Sequence, residues 1–200
     1  MFRLLLLLAV VTLASGCATF RVGDVSETQI INSTSGSPLD KVGELPIVLY
    51  YHTNYGSYSG KEEEKTKSLI IEAIKASVDS EKVAFLEEYE TIPNEYIQIV
   101  VVRDFQRDFR QESNPPSFIR MVSAIISGFT LMIVPGIDYD FENYLKISHI
   151  KDEEIQNSSI YQQMSRRYYG LLLLPASANN TIDSALAETI EDVVKGKENR

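Results

Sequence analysis

The sequence has one cysteine, two histidines and no tryptophan in 200 residues, and each of these scarcities excludes something. Its single cysteine, Cys17, cannot form an intramolecular disulfide, so the fold must depend on buried apolar surface. The histidines, His52 and His149, lie far apart and lack the spacing of a metal site. No G-x-S-x-G motif marks a serine nucleophile. We therefore expect no cofactor, no metal site and no catalytic centre.

Basic residues are also scarce, with 19 Lys and Arg against 28 Asp and Glu, and the formal net charge is −9. Binding to a phosphate backbone needs clustered basic residues, so we exclude nucleic acid as a partner. The same imbalance disfavours electrostatic adsorption to anionic lipid. The hydrophobic fraction of 44% is ordinary for a globular chain. Eleven tyrosines without tryptophan favour a chain rich in strands.

The N-terminus has the organisation of a secretory signal, with Arg3 before an uncharged apolar run from Leu4 to Ala14. The run closes with Leu13-Ala14-Ser15-Gly16-Cys17, which resembles the lipobox of bacterial lipoproteins. It departs from the lipobox in having Ala14, rather than leucine, three residues before the cysteine. Ala14 and Gly16 also fit an ordinary signal-peptide cleavage site.

The lipobox resemblance implies that residues 1–16 are removed as a signal peptide and that Cys17 is lipidated. By the same resemblance, Ala18 in place of aspartate implies sorting to the outer membrane, facing the periplasm, in a Gram-negative envelope. A broader pattern also resembles small bacterial envelope lipoproteins. It consists of an apolar run ending in proline, a tyrosine-rich strand pair and a leucine-rich run ending in proline, in Phe129–Pro135, Asp138–Gln163 and Tyr168–Pro175.

The segment after Cys17 is polar, with a run from Asn32 to Pro38 that lacks apolar periodicity. We interpret residues 17–44 as the lipidated N-terminus and a flexible tether, 45–196 as a single domain and 197–200 as a tail. A tether makes few buried contacts, so deletion of Ala18 to Lys41 is expected to leave the melting temperature nearly unchanged.

Within residues 45–196, the hydrophobic pattern predicts alternating strands and helices. Ile47 to His52 reads as a buried strand, and the odd-numbered residues from Ile97 to Phe105 share one face of a long strand. One helix places Ile70, Ile71, Ile74 and Val78 on a stripe. A final helix begins at Asn180 or Thr181 and carries Ile182, Leu186, Ile190 and Val193. This order predicts an α+β fold, with a mostly antiparallel sheet and helices packed on one face.

The segment Phe118–Ile137 contains a single charge, Arg120. Its pattern predicts a helix up to Gly128 and a strand from Phe129 to Val134. The uncharged part is shorter than the about 20 residues that a spanning helix needs, so we expect it to be core. Replacing Ile125 or Ile133 by alanine is then expected to cost about 2–5 kcal/mol each. A membrane-dipping or partner-binding hairpin remains the alternative.

Polar residues provide weaker candidates for a binding site. The arginines that could meet an acidic partner or lipid phosphate are Arg103, Arg107, Arg110, Arg166 and Arg167, although interleaved acids favour ordinary surface ion pairs. Asp138, Asp140 and Glu142 alternate as on the solvated face of a strand. His149 shares the parity of Ile147, which favours a hydrogen-bonded histidine in the core or at a hairpin end.

These features predict a lipid-anchored, non-enzymatic cell-envelope protein whose domain binds another envelope component. The expected partners are the membrane, through the lipid anchor, and an envelope protein. Two alternatives stay open at this point. One is a membrane-active or pore-associated subunit that inserts residues 118–137, and the other is a cell-wall or lipid hydrolase without a recognised site.

Overall fold

The computed structural model describes residues 16–31, 36–53, 60–78, 82–105, 117–130, 133–170, 173 and 181–195. These residues form six strands, three α-helices and two short 3-10 turns. The strands are β1 (Gly16–Ile31), β2 (Ile47–Thr53), β3 (Val83–Phe85), β4 (Glu95–Phe105), β5 (Gly136–Lys151) and β6 (Glu154–Gly170). The helices are α1 (Gly60–Ser77), α2 (Ser117–Phe129) and α3 (Ile182–Lys195), and the 3-10 turns are Pro38–Lys41 and Leu86–Glu88.

The six strands form one sheet in the order β1-β6-β5-β4-β2-β3. Strand β2 pairs in parallel with both β3 and β4, in a register that places Ile47 opposite Val83 and Ile97. The β5–β6 connection is a two-residue turn in which Asp152 and Glu153 both have positive φ, as a tight hairpin requires. The chain is therefore α+β, as expected, and its sheet is mixed although mostly antiparallel.

By contact the chain divides into two compact units. The described residues of the first unit come from Met1–Val22, Gln106–Phe141 and Met164–Ala185, and those of the second from Gly23–Phe105, Glu142–Gln163 and Leu186–Arg200. Strands β1, β5 and β6 and helix α3 contribute residues to both units. A single domain over 45–196 was expected, so this division is a feature that the sequence did not predict.

The second unit holds an apolar core to which β2, β4, β5, α1 and α3 contribute. The β4 residues Ile97, Ile99, Val101 and Arg103 are buried as predicted, and so are Ile70 and Ile74 of the predicted α1 stripe, whereas Ile71 and Val78 are partly buried. Thr181 precedes α3 and accepts a hydrogen bond from the Ser184 backbone N–H at 3.0 Å. The capping-box spacing of Ser59 and Glu62 predicts an N-terminal cap for α1, but Ser59 lies outside the described residues. The largest fully buried apolar side chains of this core are Ile47, Leu49, Ile70, Ile74, Ile97, Ile99, Leu145, Ile147, Leu186 and Ile190.

The prediction of a flexible tether is wrong for the part of residues 17–44 that the structure describes. Most of it is β1, an edge strand paired with β6, and the 3-10 turn Pro38–Lys41 follows. Ala18 is fully buried, and Leu39 is only 4% exposed in the core of the second unit. Ser37 caps the turn by accepting a hydrogen bond from the Leu39 N–H at 3.3 Å. Polar composition concealed the strand because backbone pairing, rather than apolar alternation, holds it.

The prediction of a core segment at 118–137 is also wrong. Helix α2 continues through Gly128 to Phe129, and no strand forms at residues 129, 130, 133 and 134. Ile125 is 49% exposed and Ile133 is 53% exposed, so neither is a core residue. Among the described helices, none has both the length and the apolar content to cross a membrane.

Candidate functional site

The predicted lipidation residue, Cys17, is the second residue of β1 and is partly exposed. The two residues after it, Ala18 and Thr19, are 0% and 4% exposed. All three residues belong to the first compact unit. The sequence predicted a spacer between Cys17 and the folded chain, whereas in the structure Cys17 is already part of the sheet, whose first strand begins at Gly16.

Helix α2, in the same unit, has the reverse of the usual arrangement for a helix on a globular protein. Its buried line is polar, since Arg120 is 9% exposed and Ser127 is 1% exposed. Its outward face is apolar, with residues that are between 45% and 87% exposed: Phe118, Ile119, Met121, Ile125, Ile126 and Phe129. A helix packed on a core in water turns its apolar stripe inward. The outward face of α2 is therefore a candidate contact surface.

The polar side of α2 meets a buried ion network. Asp140 of β5 is fully buried and accepts two hydrogen bonds from Arg166 of β6, from Nε at 2.9 Å and from Nη2 at 3.3 Å. Arg120 Nη2 of α2 lies 3.4 Å from the second oxygen of the same carboxylate. One carboxylate therefore joins a helix and two strands, and this contact turns the polar side of α2 inward.

Hydrogen bonds from small polar residues complete this attachment. Ser123 Oγ donates to the Arg120 carbonyl at 2.8 Å and accepts from the Ile137 N–H at 3.3 Å, so it joins α2 to the start of β5. After the last helical residue, Thr130 Oγ1 donates to the Ile126 carbonyl at 2.9 Å and accepts from the Val134 N–H at 3.3 Å. The Thr130 side chain therefore holds the chain where it leaves the C-terminus of α2.

The five arginines predicted as a partner-binding set do not form one exposed group within the described chain. Arg103 is fully buried in β4, so the prediction that it contacts a partner is wrong. Arg166 forms an ion pair with the buried Asp140. Arg167 Nε lies 3.7 Å from Asp138 in a partly exposed ion pair. The remaining two residues, at positions 107 and 110, lie outside the described residues.

The acids predicted to form a solvated strand face divide between solvent and interior. Asp138 is on the surface, but Asp140 and Glu142 are buried, so the prediction is wrong for these two. Glu142, in the second unit, accepts hydrogen bonds from the Tyr144 hydroxyl and from Gln162 Nε2. A buried carboxylate is tolerated when donors compensate its charge, and one side chain of β5 and one of β6 supply them here.

His149 is 8% exposed near the end of β5, and its Nε2 lies 2.9 Å from Glu95 Oε1, so the prediction of a hydrogen-bonded histidine is confirmed. The hydrogen bond with His149 lowers the pKa of Glu95, and nearby Lys151 adds to the effect. His52, by contrast, is exposed. Within the described ranges, no three His, Cys, Asp or Glu residues gather in a group that could hold a metal ion.

The sequence carried a signal for the inverted helix that the prediction overlooked. Arg120, Ser123 and Ser127 are separated by three and four residues, which places them on one stripe of a helix. In a segment that is otherwise apolar, these three polar residues form the only distinct stripe. The stripe identifies the polar face, but helical spacing alone does not say whether that face lies inward or outward.

Comparisons with known proteins identify no family for the chain. No family model matches it, and no curated protein matches it. Among solved structures, it is similar to a variant of the PelC dodecamer from Paraburkholderia phytofirmans, with 10% identity, coverage of 87% of this chain and 95% of that chain, and a TM-score of 0.39. A second crystal form of the PelC dodecamer gives 11% identity, coverage of 87% and 96%, and a TM-score of 0.38. TM-scores below 0.5 do not establish a common fold.

Proposed function

We propose that the chain is a lipid-anchored, non-enzymatic protein of the cell envelope, acylated at Cys17, and that its folded part binds another envelope component. In a Gram-negative envelope its location would be the outer membrane, on the periplasmic side. The observation that carries the proposal is the place of Cys17 within β1. Once residues 1–16 are removed, β1 would begin at the acylated residue.

The burial of Ala18 and Thr19 gives this proposal a geometric consequence. Acyl chains on Cys17 would sit in the bilayer, where each buried methylene contributes about 0.8 kcal/mol. No spacer would separate the anchor from the sheet, so the first compact unit would lie directly against the membrane surface. A protein held in this way is suited to recruiting or positioning another component at the bilayer.

The anchor is tested by metabolic labelling with a fatty acid in a bacterial host. We expect the wild-type chain to incorporate the label and to fractionate with membranes, and the Cys17→Ser variant to do neither. Cys17 is the only cysteine, so label that is present on the wild type and absent from the Cys17→Ser variant must depend on this residue. An unlabelled wild-type chain would refute the proposal.

We also propose that α1 and α3 pack on the same face of the sheet. The support comes from the second unit, where Ile70 and Ile74 of α1 belong to the same buried cluster as Leu186 and Ile190 of α3. The odd-numbered residues Ile97, Ile99 and Val101 of β4 belong to that cluster as well. Since alternate residues of a strand share one face, a common cluster favours helices on a common side.

A further inference from the structure

We propose that the outward face of α2 docks into the same bilayer that holds the acyl chains of Cys17. This inference rests on the proposed anchor for its location, whereas the surface itself is a property of the fold. The docking face consists of the six exposed apolar residues of α2, from Phe118 to Phe129.

The docking face is apolar and uncharged, as contact with lipid hydrocarbon requires. Arg120 is the only charged residue of α2, and it points inward to Asp140. Phe118 is 65% exposed and Phe129 is 87% exposed. These two rings are eleven residues apart, about three helical turns, so they lie along one line of the helix. No exposed charge on α2 would have to be desolvated when the face enters an apolar phase.

The anchor selects the bilayer, rather than a protein or a second copy of the chain, as the occupant. Cys17 and α2 belong to one compact unit, and Ala18 is fully buried, so no flexible segment would let the unit drift from the membrane. The docking face also offers no hydrogen-bonding or charged group that would recognise a particular protein. Lipid tails require none, because a helix satisfies its own backbone groups.

The length of α2 indicates how it would bind. Thirteen residues make a helix about 20 Å long, well short of the about 30 Å of a bilayer's hydrocarbon core. The helix would therefore lie in the plane of the interface, with the docking face buried and the Arg120 side held by β5 and β6. The helix is already folded and oriented before it meets lipid, so binding requires no ordering of this segment.

An apolar contact of this kind differs from electrostatic membrane binding. The chain is acidic, and the docking face carries no basic side chain, so anionic lipid should not strengthen binding. Raising the ionic strength should not weaken it either, because screening acts only on charge interactions. These two properties would separate insertion of α2 from adsorption through surface arginines.

The test uses the chain from residue 17 to 200 carrying Cys17→Ser, which cannot be acylated, with vesicles of phosphatidylcholine alone. We expect the protein to float with the vesicles and the bound fraction to persist at high salt. Ile125→Asp should reduce the partition constant by about tenfold or more. The matched control is Ile155→Asp, which makes the same replacement at a residue of β6 that is 41% exposed, against 49% for Ile125. The control should bind as well as the parent.

Circular dichroism and urea unfolding should be unchanged for both variants, since both positions are exposed. The inference is overturned if the parent protein does not float, or if Ile125→Asp floats as well as Ile155→Asp. It is also overturned if sedimentation shows an oligomer that Ile125→Asp dissociates while lipid binding is absent, since a second copy would then occupy the face. Fatty-acid labelling of Cys17 tests the lipid anchor independently of lipid binding by α2. Flotation of the parent protein, together with a wild-type chain that takes up no label, would refute the anchor but not the docking of α2.

Discussion

The ion network behind α2 yields a sharp test of how the first unit is held together. Asp140→Asn keeps the size of the side chain and removes its charge. Asp140 is fully buried, and the side chains of Arg166 and Arg120 are only 15% and 10% exposed. The replacement therefore leaves two guanidinium groups in a poorly hydrated place without the carboxylate that compensated them.

The expected loss is about 3–5 kcal/mol, the usual result of removing one partner from a buried ion pair. The chain supplies a matched control two residues away on the same strand. Asp138 is paired with Arg167 at 3.7 Å, and its side chain is 41% exposed. An exposed pair contributes about 0.2–1 kcal/mol, so Asp138→Asn should be nearly silent. The two variants remove the same charge from the same strand, and burial is the main difference between them.

Urea unfolding followed by circular dichroism measures the two losses, and tyrosine fluorescence gives a second probe in a chain with eleven tyrosines and no tryptophan. Hydrogen exchange resolved along the chain should show faster exchange in α2 and at the start of β5 for Asp140→Asn, because Arg120 loses its attachment there. Equal losses for Asp140→Asn and Asp138→Asn would refute the reasoning. So would an α2 that exchanges at the wild-type rate in the Asp140→Asn protein.

Two further predictions concern the second unit and the N-terminal strand. Deleting residues 18–41 should lower the free energy of unfolding by more than about 2 kcal/mol, because it removes most of β1 and the buried side chain of Leu39. An unchanged melting temperature would instead support the interpretation of this segment as a tether. Burial, with a hydrogen bond to Glu27, raises the pKa of Tyr161 to about 12. An unfolded tyrosine ionises near pH 10, so the folded state retains the proton longer, and stability should fall as the pH rises from about 10 to 12. Tyr161→Phe should remove part of that fall, and a variant with the full wild-type decline would contradict the assignment.

Sequence periodicity predicted the elements of the second unit because their apolar stripes face a core in the usual way. The described β4 residues from Ile97 to Arg103 at odd positions are buried, as are Ile70 and Ile74 of α1 and Leu186, Ile190 and Val193 of α3. The other members of the two predicted stripes, Ile71, Val78 and Ile182, are partly buried. Arg103 has the same parity as the buried apolar residues of β4 and is itself buried, although an arginine is usually found at the surface. Parity was the better guide because strand geometry fixes the face of every second residue.

Three features escaped prediction for a common reason, which is that their stabilising partners are distant in the sequence. β1 pairs with β6 through its backbone, and apolar residues alternate only in its first part, at Ala18, Phe20 and Val22. The alternation around Asp140 predicted a surface acid, because the sequence does not show that Arg120 and Arg166, which is 26 residues later, both contact its carboxylate. The division into two units likewise depends on contacts that cross between the ends and the middle of the chain.

The orientation of α2 could not be predicted from its sequence for a different reason. An amphipathic pattern defines two faces, and the surroundings of the protein decide which of them turns inward. In water the apolar face is buried, because apolar surface is excluded from the solvent. Here the polar stripe has a buried carboxylate to meet, and the apolar face is left outside. With the orientation held by an ion pair, the exposed apolar face would be stable in contact with an apolar phase. The acyl chains predicted at Cys17 would place the first unit beside such a phase, the lipid bilayer. Cys17 and α2 belong to one compact unit, so the proposed anchor and the exposed apolar face of α2 would meet the same membrane surface.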